Sequence, residues 1–209
     1  MFTLDELVKR VRPGDIGLTR NPAGLGKLIN FGQGIEEGNG GSKFGHVVIF
    51  AEFPEGVADS TAGRIYESVK TISMNRIIDY HNVEMMIIRH RKMTRSLFYL
   101  GRKEILDNIG QIYPAHRIVL HGFDMINAWI KRKVLRMKKP LVFRYMKLMP
   151  LDWPVCSELG AQFIHKAGLD GGWEDKKSGW RGVNPDDFHD AATARNDLWE
   201  VVLEGTLVS

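Results

Sequence analysis

The stretch LDWPVCSELGAQFIHKAG, Leu151 to Gly168, holds the single cysteine of a 209-residue chain. A Trp-Pro pair leads into a run with helical spacing, and Gly168 supplies a left-handed cap at its end. Cys156 therefore falls in the first helical turn, where unsatisfied N–H groups and the positive end of the helix dipole favour a thiolate. Its own N–H is also placed to donate to a developing oxyanion. The competing reading is a small buried hydrophobe, since free cysteine is among the most buried residue types. His165 lies nine residues later, about 900° round a helix at ~100° per residue, which turns it away from the cysteine. A base for Cys156 has to come from elsewhere in the chain.

Upstream, GHVVIFAEF (Gly45 to Phe53) is β-branched and aromatic, and its apolar run suits a buried strand. His46 opens that strand, and Gly45 before it permits close approach of a backbone or ligand. Its plainer reading is a polar residue at a strand end, satisfied by backbone. Glu67 lies in IYESV and shares a strand face with Ile65 and Val69, with Tyr66 and Ser68 opposite. A carboxylate on an apolar face needs a partner, because burying it alone is costly. That partner is either a basic residue or a protonated His46.

The remaining elements follow from periodicity. Residues 3–11 suit a short helix stopped by Pro13-Gly14, and Asp15 to Arg20 alternates like a strand. Asn21 to Gly34 suits a short helix framed by glycines, and Glu36 to Lys43 a loop. RIYESVKTI (64–72) and VEMMIIRH (83–90) read as two further strands, so three or four in succession argue for an antiparallel sheet. Helical spacing takes over in residues 96–113 and again in an amphipathic run, Phe123 to Met137. After the cysteine helix come a Gly/Trp-rich loop, NPDDF (184–188), and a last strand, 198–205. Early strands, later helices and one late strand make the class α+β.

Composition bounds the function. With 44% hydrophobic and 26% charged residues the chain is an ordinary globular protein, long enough for one domain with an insertion. One cysteine excludes an internal disulfide framework and a multi-cysteine zinc site. The first residues carry Asp and Glu and no long apolar run, so neither a secretory signal nor a membrane span is expected, and the protein is expected to be cytoplasmic as synthesised. The net charge of +4 is concentrated in Lys131 to Lys147, which has 8 basic residues and no acid. Setting these 8 aside leaves 21 of the 29 basic residues against 25 acidic ones, a net of −4, so the chain as a whole does not read as a nucleic-acid binder. GLGK at Gly24 to Lys27 is not a phosphate loop, because Asn21 and Leu28 stand where Gly and Ser or Thr are required. His116, His121 and Asp124 match no common metal spacing and read as structural.

RPGDIGLTR, KLINFGQG, SKFGHVVIF, IYESV, IGQIY, VCSELGAQFIHKAG and NPDDF occur in this order along the chain. That series resembles the circularly permuted branch of the NlpC-type, papain-like cysteine peptidases, the YiiX-like enzymes, with the lecithin–retinol acyltransferase-like proteins more distant. The resemblance covers residues 12 to about 113 and 151 to about 190, and its most specific pieces are the G-H-V strand and C-S-E-L. It implies a permuted papain-like fold over residues 1–209, in which the histidine strand precedes the cysteine helix. It also implies a bacterial or bacteriophage source, delivery by lysis or a secretion apparatus if the substrate is cell wall, and no metal or other cofactor.

Carried over residue by residue, the nucleophile is Cys156, the base His46 and the third member Glu67. Tyr66 and Trp153 are candidates to line a substrate cleft. Asp15 matches a position near the site, to which only a structural role is assigned, and Pro185 reads as architecture. The implied activity is cleavage of amide bonds, cell-wall peptides foremost, through an acyl-enzyme. The alternatives are a lipid-directed acyltransferase or thioesterase on the same triad, and a non-catalytic binding module. The departure from the family is the basic and apolar insertion at 115–150. It reads either as a solvated helix packed on the domain or as a contact for an anionic membrane or polymer through Lys131, Arg132, Lys133, Arg136, Lys138 and Lys139.

Overall fold

The structure is a computed structural model that describes residues 1–20, 43–51, 63–68, 72–111, 156–173, 180 and 183–208. Trp153, the run from Asn21 to Ser42 and the insertion at 115–150, with its basic residues, lie outside the described residues.

Seven strands form one sheet: β1 (Phe2–Thr3), β2 (Ile16–Thr19), β3 (His46–Phe50), β4 (Arg64–Ser68), β5 (Ile72–Arg76), β6 (Glu84–His90) and β7 (Trp199–Val208). Their spatial order is β1-β7-β6-β2-β3-β4-β5. Every neighbouring pair is antiparallel except β1 with β7, which runs parallel. Four α-helices are described: α1 (Leu4–Arg10), α2 (Arg95–Asp107), α3 (Cys156–Lys166) and α4 (Pro185–Ala194).

Both faces of the sheet are covered, which explains why β3 is buried at all five positions instead of alternating. Ile16, Leu18, Val47, Ile49, Tyr66, Met86 and Ile88 point to one face, where Phe98 and Ile105 of α2, Leu159 and Phe163 of α3 and Phe188 of α4 pack on them. The alternate residues Val48, Phe50, Ile65, Met85 and Ile87 point to the other, with Leu4 and Leu7 of α1 and Ile77. The period of two along each strand thus sorts the chain into two cores.

Glycines set how closely the helices approach. A β-carbon at Gly101 would lie 2.6 Å from the Phe163 ring, so α2 crosses α3 at near backbone contact. The cysteine helix ends as its sequence implies, with Gly168 at φ +72°.

One expectation is corrected. Residues 64–72 are not one strand: β4 ends at Ser68 and pairs antiparallel with a separate β5. NPDDF, which the sequence reading left without an element of its own, is the start of α4, which leads into β7. Asn184 caps that helix, accepting from the Asp187 N–H at 2.9 Å, while Asp187 accepts from the Asn184 N–H at 2.6 Å and Pro185 occupies the first turn.

Candidate active site

His46 begins β3, and Glu67 lies on the neighbouring β4, where Val48 is its direct cross-strand partner. His46 and Glu67 therefore share the sheet face of Val48 and Ile65, one register step apart. Cys156 is the first residue of α3, which packs on the opposite face through Leu159, Ala161 and Phe163. The helix N-terminus thus meets the sheet at the start of β3. His46, Glu67 and Cys156 are 8%, 7% and 6% exposed.

His46 Nε2 stands 3.0 Å from Glu67 Oε2. With Nε2–H donated to the carboxylate, Nδ1 is the ring nitrogen left to exchange a proton with the thiol. Burial opposes charge on Cys156. The His46 imidazolium, a hydrogen bond with that ring, and the backbone N–H groups of Val47 and Ser157 outweigh it, holding the thiol below its ordinary value. Burial opposes charge on His46 as well. The Cys156 thiolate and the hydrogen bonds to Cys156 and Glu67 overcome it and lift His46 to about 10. Both directions describe one object, a buried thiolate–imidazolium pair.

Glu67 is also held charged. Burial pushes its carboxyl up, but hydrogen bonds from His46, Tyr80 and Asn75 hold it below the usual carboxylate range. Tyr80 Oη donates to Oε2 and Asn75 Nδ2 donates to Oε1. Neither residue carries a signal at the level of sequence. Tyr80 closes a single 3₁₀ turn (Ile77–Tyr80), and Asn75 belongs to β5, which the sequence reading did not separate from the strand before it.

The structure brings Cys156, His46 and Glu67 together and leaves the other described candidates apart. Tyr66 points to the helical face, is 1% exposed, and accepts a hydrogen bond from Arg102 Nε at 2.8 Å. It is packed in the core among the described residues. Asp15 immediately precedes β2, at the end remote from Thr19, which pairs with His46. Four residues at ~3.3 Å each put it about 13 Å along the strand from that pair. Its carboxylate accepts Arg89 Nε at 2.8 Å and Nη2 at 2.7 Å, plus the Arg12 N–H at 2.8 Å. Arg89 Nη2 also reaches the Arg10 carbonyl at 2.7 Å, so this ion pair ties α1 to β2 and β6.

A mixed α+β chain with a seven-stranded sheet, a cysteine at a helix N-terminus and a histidine–carboxylate pair on adjacent strands is the class that fold and site define. No family model and no curated protein matches the sequence. Among solved structures, the chain resembles that of the metalloprotein YiiX from Escherichia coli O157:H7, with a TM-score of 0.56 at 12% identity. The match covers 93% of this chain and 98% of that one. The fold is YiiX-like, and at this identity the likeness is one of fold alone.

Proposed function

We propose that the chain is a cysteine hydrolase that cleaves amide bonds through Cys156, His46 and Glu67, on a circularly permuted papain-like, NlpC-type scaffold. The observation that carries this reading is the line from Glu67 through His46 to Cys156, in which a buried thiol and imidazole are both shifted toward their charged forms. The chain order, histidine strand before cysteine helix, is that of the permuted branch. Cell-wall peptides are the proposed substrate class.

In the proposed reaction the Cys156 thiolate attacks the amide carbonyl carbon. A C–S bond forms and the π pair moves to oxygen, where the Cys156 backbone N–H is the candidate donor. Collapse of the tetrahedral species breaks the C–N bond, and the amine leaves with the proton from His46 Nδ1. Water then adds to the thioester and gives a proton to His46, and the acid departs as the thiolate is regenerated. Glu67 keeps the imidazolium charged and oriented throughout.

The metal in the description of YiiX does not extend to this proposal. Among the described residues no group of three His, Cys, Asp or Glu side chains is arranged to hold a metal ion, and His46 Nε2 is already engaged by Glu67.

Incubation with a panel of peptide amides, followed by intact-mass detection of the acyl-enzyme, tests the reading. An adduct on Cys156 that is absent in Cys156→Ala is expected. Acylation by lipid esters but not by amides would move the assignment to the acyltransferase or thioesterase alternative. No adduct with any acyl donor would sink the hydrolase reading.

A further inference from the structure

Glu67 receives more donors than a triad carboxylate requires. Its Oε2 takes His46 Nε2 at 3.0 Å and the Tyr80 hydroxyl, and its Oε1 takes Asn75 Nδ2. The hairpin register supplies the first extra donor. Glu67 pairs with Ser73 and Ile65 with Asn75, so Asn75 is the diagonal neighbour of Glu67 on the same sheet face. Asn75 Nδ2 also donates to Ser73 Oγ at 3.2 Å, which fixes the amide orientation. The second extra donor comes from the 3₁₀ turn after β5. Ile77 is buried in the second core, and Tyr80 packs against that same cluster, aiming its hydroxyl back at Glu67.

We infer that Tyr80 and Asn75 are positioning residues that clamp both oxygens of Glu67, so that its Oε2 lone pair stays in line with His46 Nε2. This rests on the proposed roles of Cys156, His46 and Glu67. A carboxylate on a strand side chain can swing about its χ angles. Donors on both oxygens, from two different elements, leave it one orientation and oppose its protonation. The titratable groups that face Glu67 are His46 from β3 and Tyr80 from the 3₁₀ turn. Cys156 of α3 acts on His46 and on Tyr80, and Asp79 acts on Tyr80. Burial and the Glu67 charge push the Tyr80 phenol up, so it remains an O–H donor over the whole working range.

The inference separates from simple packing in a double-mutant cycle. The second-order rate of Cys156 alkylation by iodoacetamide is measured against pH in the wild type, Tyr80→Phe, Glu67→Gln and the double variant. Losing one hydrogen bond to a charged group corresponds to roughly a 10-fold change. Tyr80→Phe is therefore expected to slow alkylation by about that factor at mildly acidic pH and to move the acid limb to higher pH. In the Glu67→Gln background the same change should have less than about a 2-fold effect, since the group it acts through is gone. An equal loss in both backgrounds, or an unmoved acid limb, would overturn the inference. If Tyr80→Phe does not fold, Asn75→Ser poses the same question at Oε1. The two proposals fail differently. A shifted limb with no turnover of any acyl donor removes the hydrolase reading and leaves the clamp standing. Normal turnover with an unshifted limb removes the clamp and leaves the hydrolase.

Discussion

Gly160 and Val47 meet so closely that a β-carbon on Gly160 would lie 3.0 Å from Val47 Cγ1, with the Phe188 ring 3.1 Å away on another side. Gly160 is one turn past Cys156, and Val47 is one residue past His46. The contact between a missing side chain and a strand valine therefore sets the separation of Cys156 and His46. The Val47 N–H, which helps hold the thiolate, belongs to the same contact.

Gly160→Ala requires its neighbours to give by only a few tenths of an ångström, whereas Gly160→Leu must lift α3 from β3. Overpacking of this kind costs about 1–3 kcal/mol. The leucine variant is expected to lose Cys156 reactivity out of proportion to its fall in melting temperature. Iodoacetamide labelling and thermal unfolding on the same samples measure the two.

Cys156 should alkylate well below the ~8.5 at which a free thiol titrates. His46→Ala removes the imidazolium that lowers it while burial remains, so labelling should shift to alkaline pH and slow by about 10²- to 10⁴-fold at neutrality. A wild-type Cys156 that labels only above pH ~8.5, or only after unfolding, would exclude an activated thiolate.

The thiolate–imidazolium pair fixes how stability depends on pH. His46 is raised from 6.5 to about 10, so its contribution is complete below 6.5 and is lost as pH rises through about 10. Cys156 is lowered from 9.0, so its contribution is complete above 9.0 and is lost as pH falls through the lowered value. Within the interval from 6.5 to 9.0, at pH above the lowered Cys156 value, the folded pair holds one proton on His46 and the unfolded pair holds one on the thiol. The proton counts are equal, and the two slopes cancel. Urea unfolding of the wild type and of a Cys156→Ala, His46→Ala variant should thus differ by a constant over that interval. The difference should shrink on either side.

Asp15→Asn should destabilise the protein without any change at the triad being needed. It removes the Asp15 carboxylate from the Arg89 guanidinium, only 14% exposed, and leaves it Glu200 at 3.3 Å as its remaining acidic partner. Removing one member of a buried ion pair costs about 3–5 kcal/mol, or roughly 10 °C in melting temperature for a chain of this size. Differential scanning calorimetry reads it directly, and a shift under ~2 °C would contradict the structural role of the pair.

The parts of the fold that were legible in the sequence are those with strong local patterns. β2, β3 and β6 are short apolar runs, α1 and α2 have helical spacing, and Cys156 and Gly168 bracket α3. His46 and Glu67 stood out because polar side chains on buried strands need partners. β5 was hidden by the polar sequence ISMNR, an edge strand with little apolar content to announce it. The N-terminus of α4 was overlooked although Asn184, Pro185 and Asp187 spell a capping box. The burial of Tyr66 was not legible, because a strand position fixes a face but not which face a helix covers. Asn75 and Tyr80 were invisible for a different reason: their meeting with Glu67 depends on hairpin register and on one 3₁₀ turn.

The separation of 110 positions between His46 and Cys156 has a consequence for the protein's life before it is complete. His46 and Glu67 are near neighbours along the chain, but the thiol belongs to a segment made much later. Until α3 docks on β3, Cys156 is an ordinary alkylthiol with an unexceptional acidity, no more dangerous to its surroundings than any other cysteine. Docking of α3 onto β3 is thus the step that lowers the pKa of this thiol. A nascent or unfolded chain carries Cys156 as an ordinary thiol.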